Sequence, residues 1–363
     1  MEVPFLDVGG DYRELEAELD ETHRRVMRGG WFVLGEELAA FEREFATAAG
    51  AADACGVGNG LDALTLALAA LDVGPGDEVI VPSMTFVATW MSVTAVGATP
   101  VPVDVDPASE LLTVDAADAA VSDRTAAIVP VHLHGLPVDA PGFEELAGRR
   151  GLRLVFDAAQ AHGATVAGRP VGSYGDASAW SFYPAKNLGA FGDGGAITFD
   201  DPELGERVRA ARNYGALQRD DHASPGTNSR LDELQAAFLR IKLRRLEDWN
   251  ERRARIADRY ATELADLPAA LHVCEDDRSP VWHHFVVRCD RRDELRDHLH
   301  RSSIGTGVHY LLPPHRQPIY AHLGVELPHA DAIASSTLSI PMGPHLDDVQ
   351  QERVIAAIRS FAW

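Results

Sequence analysis

The most constraining feature of the sequence is a regular alternation of short apolar runs with segments of helical periodicity. Seven apolar runs of strand length occur before residue 200, at 54–57, 78–82, 99–103, 126–131, 152–156, 177–182 and 195–199. Helical patterns lie between several of them, at 61–71, 85–96, 115–120 and 142–149. This alternation predicts an α/β domain with a mostly parallel sheet that is covered by helices on both faces. Ligands of such sheets bind in the loops beyond the strand ends, so functional residues are expected there.

The remaining segments predict helices on either side of the sheet region and a second, smaller unit. Amphipathic patterns at 10–28 and 36–49 precede the sheet, and charged helical patterns at 202–212 and 231–264 follow it. From about residue 268 the pattern changes to an apolar run at 281–288 and helices at 291–301 and 346–361. A length of 363 residues also favours two domains. We predict a large domain over 1–250 and a smaller C-terminal α/β domain over 251–363, with a hinge near 245–265.

Charge and cysteine content exclude several classes of protein. The formal net charge is −22, and no basic stripe is present to neutralise nucleic-acid phosphates, so a nucleic-acid partner is not expected. No apolar stretch is long enough to span a bilayer, and the first residues have neither a basic start nor an apolar run, so neither a membrane segment nor a signal peptide is expected. The three cysteines, Cys55, Cys274 and Cys289, form no disulfide framework and no metal-type spacing, which favours the reducing cytoplasm.

Lysine usage indicates where the chemistry lies. Of the 33 basic side chains only Lys186 and Lys242 are lysine, and all the others are arginine. A lysine can lose its proton and form an imine, whereas an arginine cannot. Lys242 lies in a charged helical pattern and is interpreted as a surface cation. Lys186 lies between an apolar run and the glycine-rich segment 192–195, which favours a chemical role.

A glycine-rich turn at 56–62 leads directly into the predicted helix at 61–71. Free backbone N–H groups and the positive end of the dipole at such a helix start suit a phosphate group. Glycine is also common in strand-to-helix turns for steric reasons alone, and that explanation is favoured for this turn taken by itself. Ser181 precedes Lys186 and offers a hydroxyl group to a phosphate.

Two further loops at predicted strand ends carry candidate site residues. Asp157 ends an apolar strand, where a carboxylate is either a helix N-cap or a partner for a cationic ring nitrogen. Gln160 would lie on the same side, one turn later. Phe86 follows the strand at 78–82 and either packs in the core or stacks on a flat cofactor. A phosphate site, an aromatic ring, a carboxylate and a lysine together are the requirements of pyridoxal 5'-phosphate.

Several motifs make the sequence similar to the DegT/DnrJ/EryC1/StrS family of pyridoxal phosphate-dependent sugar aminotransferases over nearly its whole length. The motifs are Gly58-Asn-Gly-Leu-Asp-Ala-Leu64, Pro130-Val-His-Leu-His-Gly135, Asp157-Ala-Ala-Gln-Ala-His-Gly163, Ser181-Phe-Tyr-Pro-Ala-Lys-Asn-Leu-Gly189, Arg212-Asn-Tyr-Gly215 and Gly226-Thr-Asn-Ser-Arg-Leu-Asp-Glu-Leu-Gln-Ala-Ala237. The resemblance implies the aspartate-aminotransferase fold, called fold type I, with a seven-stranded sheet in the large domain. It also implies a homodimer whose active sites are shared between subunits.

The resemblance implies a role for each cofactor-binding residue. Lys186 would hold the cofactor covalently and act as the catalytic acid and base. Asp157 would pair with the ring nitrogen, Gln160 would contact the ring hydroxyl and Phe86 would stack on the ring. The remaining cofactor residues would bind the phosphate group, and they are Gly60, Leu61, Ser181 and, from the neighbouring subunit, Asn228.

The substrates implied are an amino-acid donor, expected to be L-glutamate, and a nucleotide-linked keto-6-deoxyhexose. The segments 31–37, 86–90 and 213–216 resemble enzymes that install a 3-amino group, so a dTDP-3-keto-6-deoxyhexose is expected. The loop 217–222, His134 and Phe156 depart from the family pattern, and the loop departure could alter sugar recognition. Candidate substrate-binding residues are Tyr183, Arg219, His222, His309, Tyr310 and His315, although surface or packing roles are the better explanation for most of these histidines individually.

Three alternatives stay open alongside a 3-aminotransferase. They are a 4-keto sugar aminotransferase, a pyridoxal phosphate-dependent dehydratase of the same fold, and a non-catalytic relative that binds the cofactor or a sugar nucleotide. The dehydratases of the family carry histidine where this chain has Lys186, which disfavours the second. The histidine pairs at 132/134 and 283/284 could suggest a metal site, but no carboxylate or cysteine set accompanies them at ligand spacing, so no metal is expected.

Overall fold

The computed structural model describes residues 2–218, 220–271 and 277–363, and a seven-stranded sheet forms its centre. The strands are β1 (Asp53–Val57), β2 (Glu78–Pro82), β3 (Thr99–Val103), β4 (Thr125–Ile128), β5 (Arg153–Asp157), β6 (Ala177–Ser181) and β7 (Gly195–Phe199). Their order in the sheet is β1-β7-β6-β5-β4-β2-β3. Most neighbours pair in parallel, and β7 runs antiparallel to both β6 and β1. The loops that follow β1, β2, β4, β5 and β6 therefore meet at one edge of the sheet.

Helices cover this sheet because the strands carry apolar side chains on both faces. The helices before and within the sheet region are α1 (Gly10–Gly29), α2 (Glu36–Ala49), α3 (Gly60–Ala70), α4 (Ala88–Ala95), α5 (Val114–Ala119) and α6 (Ala140–Arg150). Those that follow are α7 (Pro202–Ala211), α8 (Glu233–Leu243) and α9 (Leu246–Glu263). One buried cluster contains Phe41, Phe45, Trp180 and Phe182 between α2 and the sheet, and a second lies between the opposite face and α3.

A smaller α/β unit follows α9 and has its own apolar core. It contains β8 (Phe285–Arg288), α10 (Arg292–Arg301), α11 (Pro328–Ser336), β9 (Thr337–Ile340) and α12 (Asp348–Arg359), with β8 and β9 paired antiparallel. Its core includes Leu295, Leu338 and Ile355 together with Ile256 and Tyr260 from the second half of α9. We place the start of this unit within α9 and keep the boundary between 1–250 and 251–363 as a prediction.

Short elements complete the chain. Two-residue strands lie at Thr165–Val166, Arg169–Pro170, Asp221–His222, Ala270–Leu271 and Arg278–Ser279, and a three-residue strand lies at Ala216–Gln218. Single 3-10 turns lie at Leu133–Gly135, Val171–Ser173, Pro314–Arg316 and Ala321–Leu323. No helix in the described ranges is both long and apolar enough to cross a bilayer.

The predicted α/β architecture is confirmed, including all seven sheet strands, and three local predictions were wrong. The helix predicted over 231–264 is two helices, because a turn at Arg244–Arg245 lets α8 pack on α1 and α2 while α9 contacts α12. The strand predicted from 281 begins at Phe285, because Trp282 has a φ of 49° that extended backbone does not allow. The helix predicted from 85 begins at Ala88, which leaves residues 83–86 as a loop.

Candidate active site

A cavity of about 450 Å³ lies at the sheet edge where the loops after the parallel strands meet the second unit. Ten of the residues predicted from the sequence line it, namely Gly60, Leu61, Phe86, Asp157, Gln160, Ser181, Tyr183, Lys186, His309 and Tyr310. The other lining residues are Asn59, Leu64, Thr85, Val87, Ala88, Met91, Val131, Ala159, Ala185, Asp193, His283 and His284. Residues distant in sequence thus meet at the place predicted for an α/β sheet.

The start of α3 forms one end of the cavity. The Asn59 side chain accepts a hydrogen bond from the Asp62 backbone N–H at 2.9 Å, which fixes the first turn of the helix. Gly60 follows directly and lies against Ser181 at the end of β6, so that a Cβ added to Gly60 would come within 2.7 Å of the Ser181 Cβ. Glycine is therefore required here for close approach, and it leaves the N–H groups of the turn accessible to an anion.

Asp157 lies at the end of β5 and is only 7% exposed. Thr89 on α4 donates a hydrogen bond to Asp157 Oδ2 at 2.8 Å, and the Thr89 hydroxyl is itself 2.7 Å from the Thr85 hydroxyl. Burial raises the pKa of Asp157, while the bonds from Thr89 and the Ala159 N–H and the charge of Lys186 act in the opposite direction. A buried carboxylate with a raised pKa shares a proton readily with a basic ring nitrogen.

Lys186 is partly buried in the loop between β6 and β7. Its backbone N–H donates to the Tyr183 carbonyl at 2.8 Å, and the base of the loop is closed by bonds between Phe182 and its neighbours Gly194 and Ala190, each at 2.7 Å. Burial lowers the pKa of Lys186 to about 8, although the nearby Asp157 charge raises it in part. A substantial fraction of this amine is therefore neutral near physiological pH, which nucleophilic attack on a carbonyl requires.

Aromatic and amide groups define the width of the cavity. The Phe86 ring is 54% exposed, and its centroid lies 5.6 Å from that of Tyr310. Core packing was the alternative explanation for Phe86, and its exposure on the cavity wall excludes a fully packed position. Gln160 Oε1 accepts a bond from the His134 backbone N–H at 2.6 Å, and its Nε2 donates to the Tyr310 hydroxyl at 3.0 Å. Gln160 is thus fixed by both of its polar atoms.

The sequence did not predict every residue of the cavity. The cavity residue Thr85 has no predicted role, nor has Thr89 behind it, because Thr89 links Thr85 to Asp157, which lies far along the chain. The sequence assigns His283 and His284 no role in the site, whereas the structure places both on the cavity wall with His309. Burial holds the pKa of both well below the usual histidine value and lowers that of His309 to about 3. In the part of the chain described here, no group of three potential metal ligands is present.

Three predicted residues that the structure describes do not line this cavity. His222 is exposed on a hairpin, where its Nδ1 lies 2.9 Å from the Tyr214 carbonyl oxygen, and Asn228 is exposed beside Asn213. His315 is buried against Asp331, with 3.1 Å between His315 Nε2 and the carboxylate. Arg219 lies outside the described residues.

The sequence model of the DegT/DnrJ/EryC1/StrS aminotransferase family matches residues 13–359 of this chain. The chain belongs to this family. The predicted resemblance is thereby confirmed, and the protein is an aminotransferase whose cofactor is pyridoxal 5'-phosphate.

Individual relatives agree with this assignment over the full length. The dTDP-3-amino-3,4,6-trideoxy-alpha-D-glucose transaminase of Streptomyces venezuelae is 51% identical, over 99% of this chain and 96% of the relative. The erythromycin biosynthesis sensory transduction protein EryC1 of Saccharopolyspora erythraea is 49% identical, over 100% of both chains. The crystal structure of S. venezuelae DesV in complex with a ketimine intermediate has a TM-score of 0.97 and 51% identity, covering 99% of this chain and 98% of that one.

Proposed function

We propose that this aminotransferase transfers an amino group from an amino acid, L-glutamate, to C3 of a nucleotide-linked 3-keto-6-deoxyhexose, with dTDP as the nucleotide. The observation that carries the proposal is the placement of Lys186, with its lowered pKa, opposite the buried Asp157 in one cavity. The names of two relatives that align over almost the whole chain, at 51% and 42% identity, describe transaminases of dTDP-3-amino-3,4,6-trideoxyglucose.

The cavity residues fit pyridoxal 5'-phosphate. The close packing of Gly60 on Ser181 supports a phosphate site formed by Gly60, Leu61 and the Ser181 hydroxyl at the start of α3. Asp157 is positioned by Thr89 to hold a proton on the ring nitrogen, and the exposed Phe86 ring offers a stacking surface. The fixed Gln160 amide is suited to the ring hydroxyl.

The bound cofactor supplies an electron sink for the carbon that loses or gains a proton. The Lys186 amine would hold the cofactor in the resting enzyme and, once free, would accept the proton that leaves the donor's α-carbon. In the second half of the reaction, Lys186 returns a proton to the sugar carbon that receives nitrogen. Asp157 would hold a proton on the ring nitrogen, because a carboxylate favours the charged form of a base beside it.

A homodimer with shared active sites is part of this proposal. The consecutive apolar residues 31–34 are each at least 38% exposed, and a contiguous exposed apolar patch is typical of interfaces. Asn228 and His222 lie outside the cavity of their own chain, which supports a role for this region in the site of the neighbouring subunit. A cytoplasmic location is also proposed, because the described cysteines, Cys55 and Cys289, are free buried thiols.

Product analysis tests the proposed function. The purified enzyme, loaded with cofactor and L-glutamate, is incubated separately with matched 3-keto and 4-keto dTDP-6-deoxyhexoses, and the position of the new amine is determined by NMR. We expect amination of the 3-keto sugar, and amination of the 4-keto sugar alone would instead establish the 4-aminotransferase. Loss of a sugar hydroxyl without nitrogen transfer would identify a dehydratase. Absence of any glutamate-dependent change in the visible absorption band would support the non-catalytic alternative.

A further inference from the structure

The second lysine of the chain, Lys242, is buried on α8 and contacts the lysine loop, residues 182–194 between β6 and β7. Its Nζ atom donates to the Gly189 carbonyl at 2.7 Å and to Asp11 Oδ2 on α1 at 3.0 Å. The same atom lies 3.8 Å from the centroid of the Phe191 ring. A buried ammonium group needs such partners, because an unpaired charge is costly in the interior. One of the two lysines therefore lies in this loop, and the other donates a hydrogen bond to it.

This contact is part of one face of α8 that packs against the lysine loop. Positions 235, 238 and 242 are spaced by three and four residues, so they lie on the same side of the helix. The Phe191 N–H donates to Gln235 Oε1 at 2.8 Å, and the Phe238 ring packs edge-on against the Phe191 ring with 5.4 Å between centroids. Lys242 adds the bond to Gly189. One helix face therefore holds two alternate residues of the loop.

Gly189 closes the tight segment in which Lys186 lies. A Cβ added to Gly189 would come within 2.5 Å of the Pro184 carbonyl oxygen, so the two ends of the segment 184–189 are in close contact. Lys186 lies between these ends, and its own N–H donates to the Tyr183 carbonyl at 2.8 Å. A displacement of the Gly189 carbonyl would therefore displace the Lys186 backbone and the amine that it carries.

We propose that Lys242 is a positioning residue for amino transfer, which holds the Gly189 carbonyl so that the Lys186 amine is kept at the wall of the cavity. The inference rests on the proposed function, in which Lys186 moves protons in both half-reactions. Proton transfer depends steeply on the placement of the base, and a misplacement of about 1 Å can lower a rate by about 100-fold. The ion pair with Asp11 has a different task, because it compensates the buried charge and so acts on stability rather than on turnover.

Two variants of this ion pair separate the two tasks. Lys242→Met keeps an unbranched side chain but removes the donor to Gly189, whereas Asp11→Asn removes the charge of the partner and leaves that donor in place. Stopped-flow absorbance of the cofactor-loaded enzyme follows the glutamate half-reaction. At saturating glutamate we expect this reaction to slow about 10- to 100-fold in Lys242→Met and to keep the wild-type rate in Asp11→Asn. The glutamate concentration that gives half the maximal rate should be unchanged in both, because both residues lie outside the cavity lining.

Two further variants separate a displaced loop from lost stability. Lys242→Met leaves the largely buried Asp11 without its lysine partner, which lowers stability independently of the loop. The double variant Asp11→Asn/Lys242→Met removes both charges, so its urea unfolding should be closer to that of the wild type while its half-reaction stays slow. Lys242→Arg keeps a charged donor and should retain transfer.

Titration of the cofactor-free protein tests the position of the amine without any reaction. Lys242→Met leaves Lys186 as the single lysine, so ¹³Cε-lysine gives one signal whose chemical shift follows its protonation. In the wild type, burial lowers the pKa of Lys186 to about 8, and Asp157 acts in the opposite direction. If Lys242 keeps this amine buried, the midpoint rises from about 8 toward 10.5 in Lys242→Met and in the double variant. It should stay near 8 in Asp11→Asn.

The variants distinguish failure of this inference from failure of the proposed function. A wild-type rate in the double variant, or an unchanged Lys186 midpoint in Lys242→Met, would overturn the inference. Equal slowing in Asp11→Asn and Lys242→Met would also overturn it, because the ion pair rather than the bond to Gly189 would then control turnover. A wild-type enzyme that does not react with glutamate would instead refute the proposed function.

Discussion

Lys186 titrates near the pH at which the enzyme would work, and isotopic labelling can test this directly. Burial lowers its pKa to about 8, against an ordinary value of 10.5. At pH 8 about half of the side chain is then the free amine, compared with roughly 0.3% for an ordinary lysine, a difference of about 150-fold. Because the charge of Asp157 opposes the effect of burial, Asp157→Asn should lower the titration midpoint of Lys186 further rather than raise it.

The composition makes the assay simple, because the chain has only two lysines, Lys186 and Lys242. Protein freed of cofactor and labelled with ¹³Cε-lysine gives one signal for each, and Lys242→Arg leaves only the signal of interest. The midpoint is read from the chemical shift between pH 6 and 11. A midpoint near 10.5, or an upward shift in Asp157→Asn, would refute the reasoning.

The same shift has a consequence for stability. The folded pKa lies below the unfolded one, so the unfolded chain binds this proton more tightly between pH 8 and 10.5. The contribution of Lys186 to the free energy of unfolding therefore increases as the pH rises through this window. Urea titrations give the free energy of unfolding of the cofactor-free protein and of Lys186→Met. Above about pH 10.5 the two free energies should depend on pH in the same way.

Three further substitutions, two of them paired with a control variant, have expected outcomes. Lys242 is not the surface cation that its sequence context predicts, because it is 1% exposed and its Nζ donates to Asp11 and to the Gly189 carbonyl. Lys186→Arg should abolish amino transfer, assayed by glutamate-dependent product formation, and transfer by this variant would contradict its role. Lys242→Arg should retain transfer while losing about 1–3 kcal/mol of stability through overpacking. Gly60→Ala should lower cofactor affinity at least tenfold in a fluorescence titration, because its Cβ has no room, whereas Gly148→Ala meets nothing within 4 Å and should bind normally. Phe45→Ala should lose about 3–5 kcal/mol in urea unfolding, since its ring packs in the aromatic cluster behind the lysine loop; a loss below 1 kcal/mol would show that the cluster contributes little.

The strands of the central sheet and the lysine loop could be predicted because their signals are local. Apolar runs bounded by glycine, proline or aspartate mark each strand, and a lone lysine marks the loop. Helix α11 and strand β9 were missed, since their small and polar residues resemble a loop until Ile333 and Leu338 are buried. The turn at Arg244–Arg245 was also missed, because the surrounding leucines continue a helical pattern through it.

The polar contacts of the site depend on residues that are far apart in sequence. Thr89 and Asp157 are separated by 68 positions, and His134 and His284 by 150. Propensity and periodicity extend over a few turns only, so neither pair leaves a local signal. The left-handed backbone at Trp282, which turns His283 and His284 toward the cavity, is also set by tertiary contacts rather than by its residue type.

The separate origins of the two cavity walls have a consequence for engineering this enzyme. The lysine, the carboxylate and the start of α3 belong to the large sheet, whereas the histidine wall enters from the segment that leads into β8. Chimeras that exchange residues from 281 onward between homologous transaminases should therefore transfer the choice of acceptor sugar while leaving reactivity toward the amino donor intact.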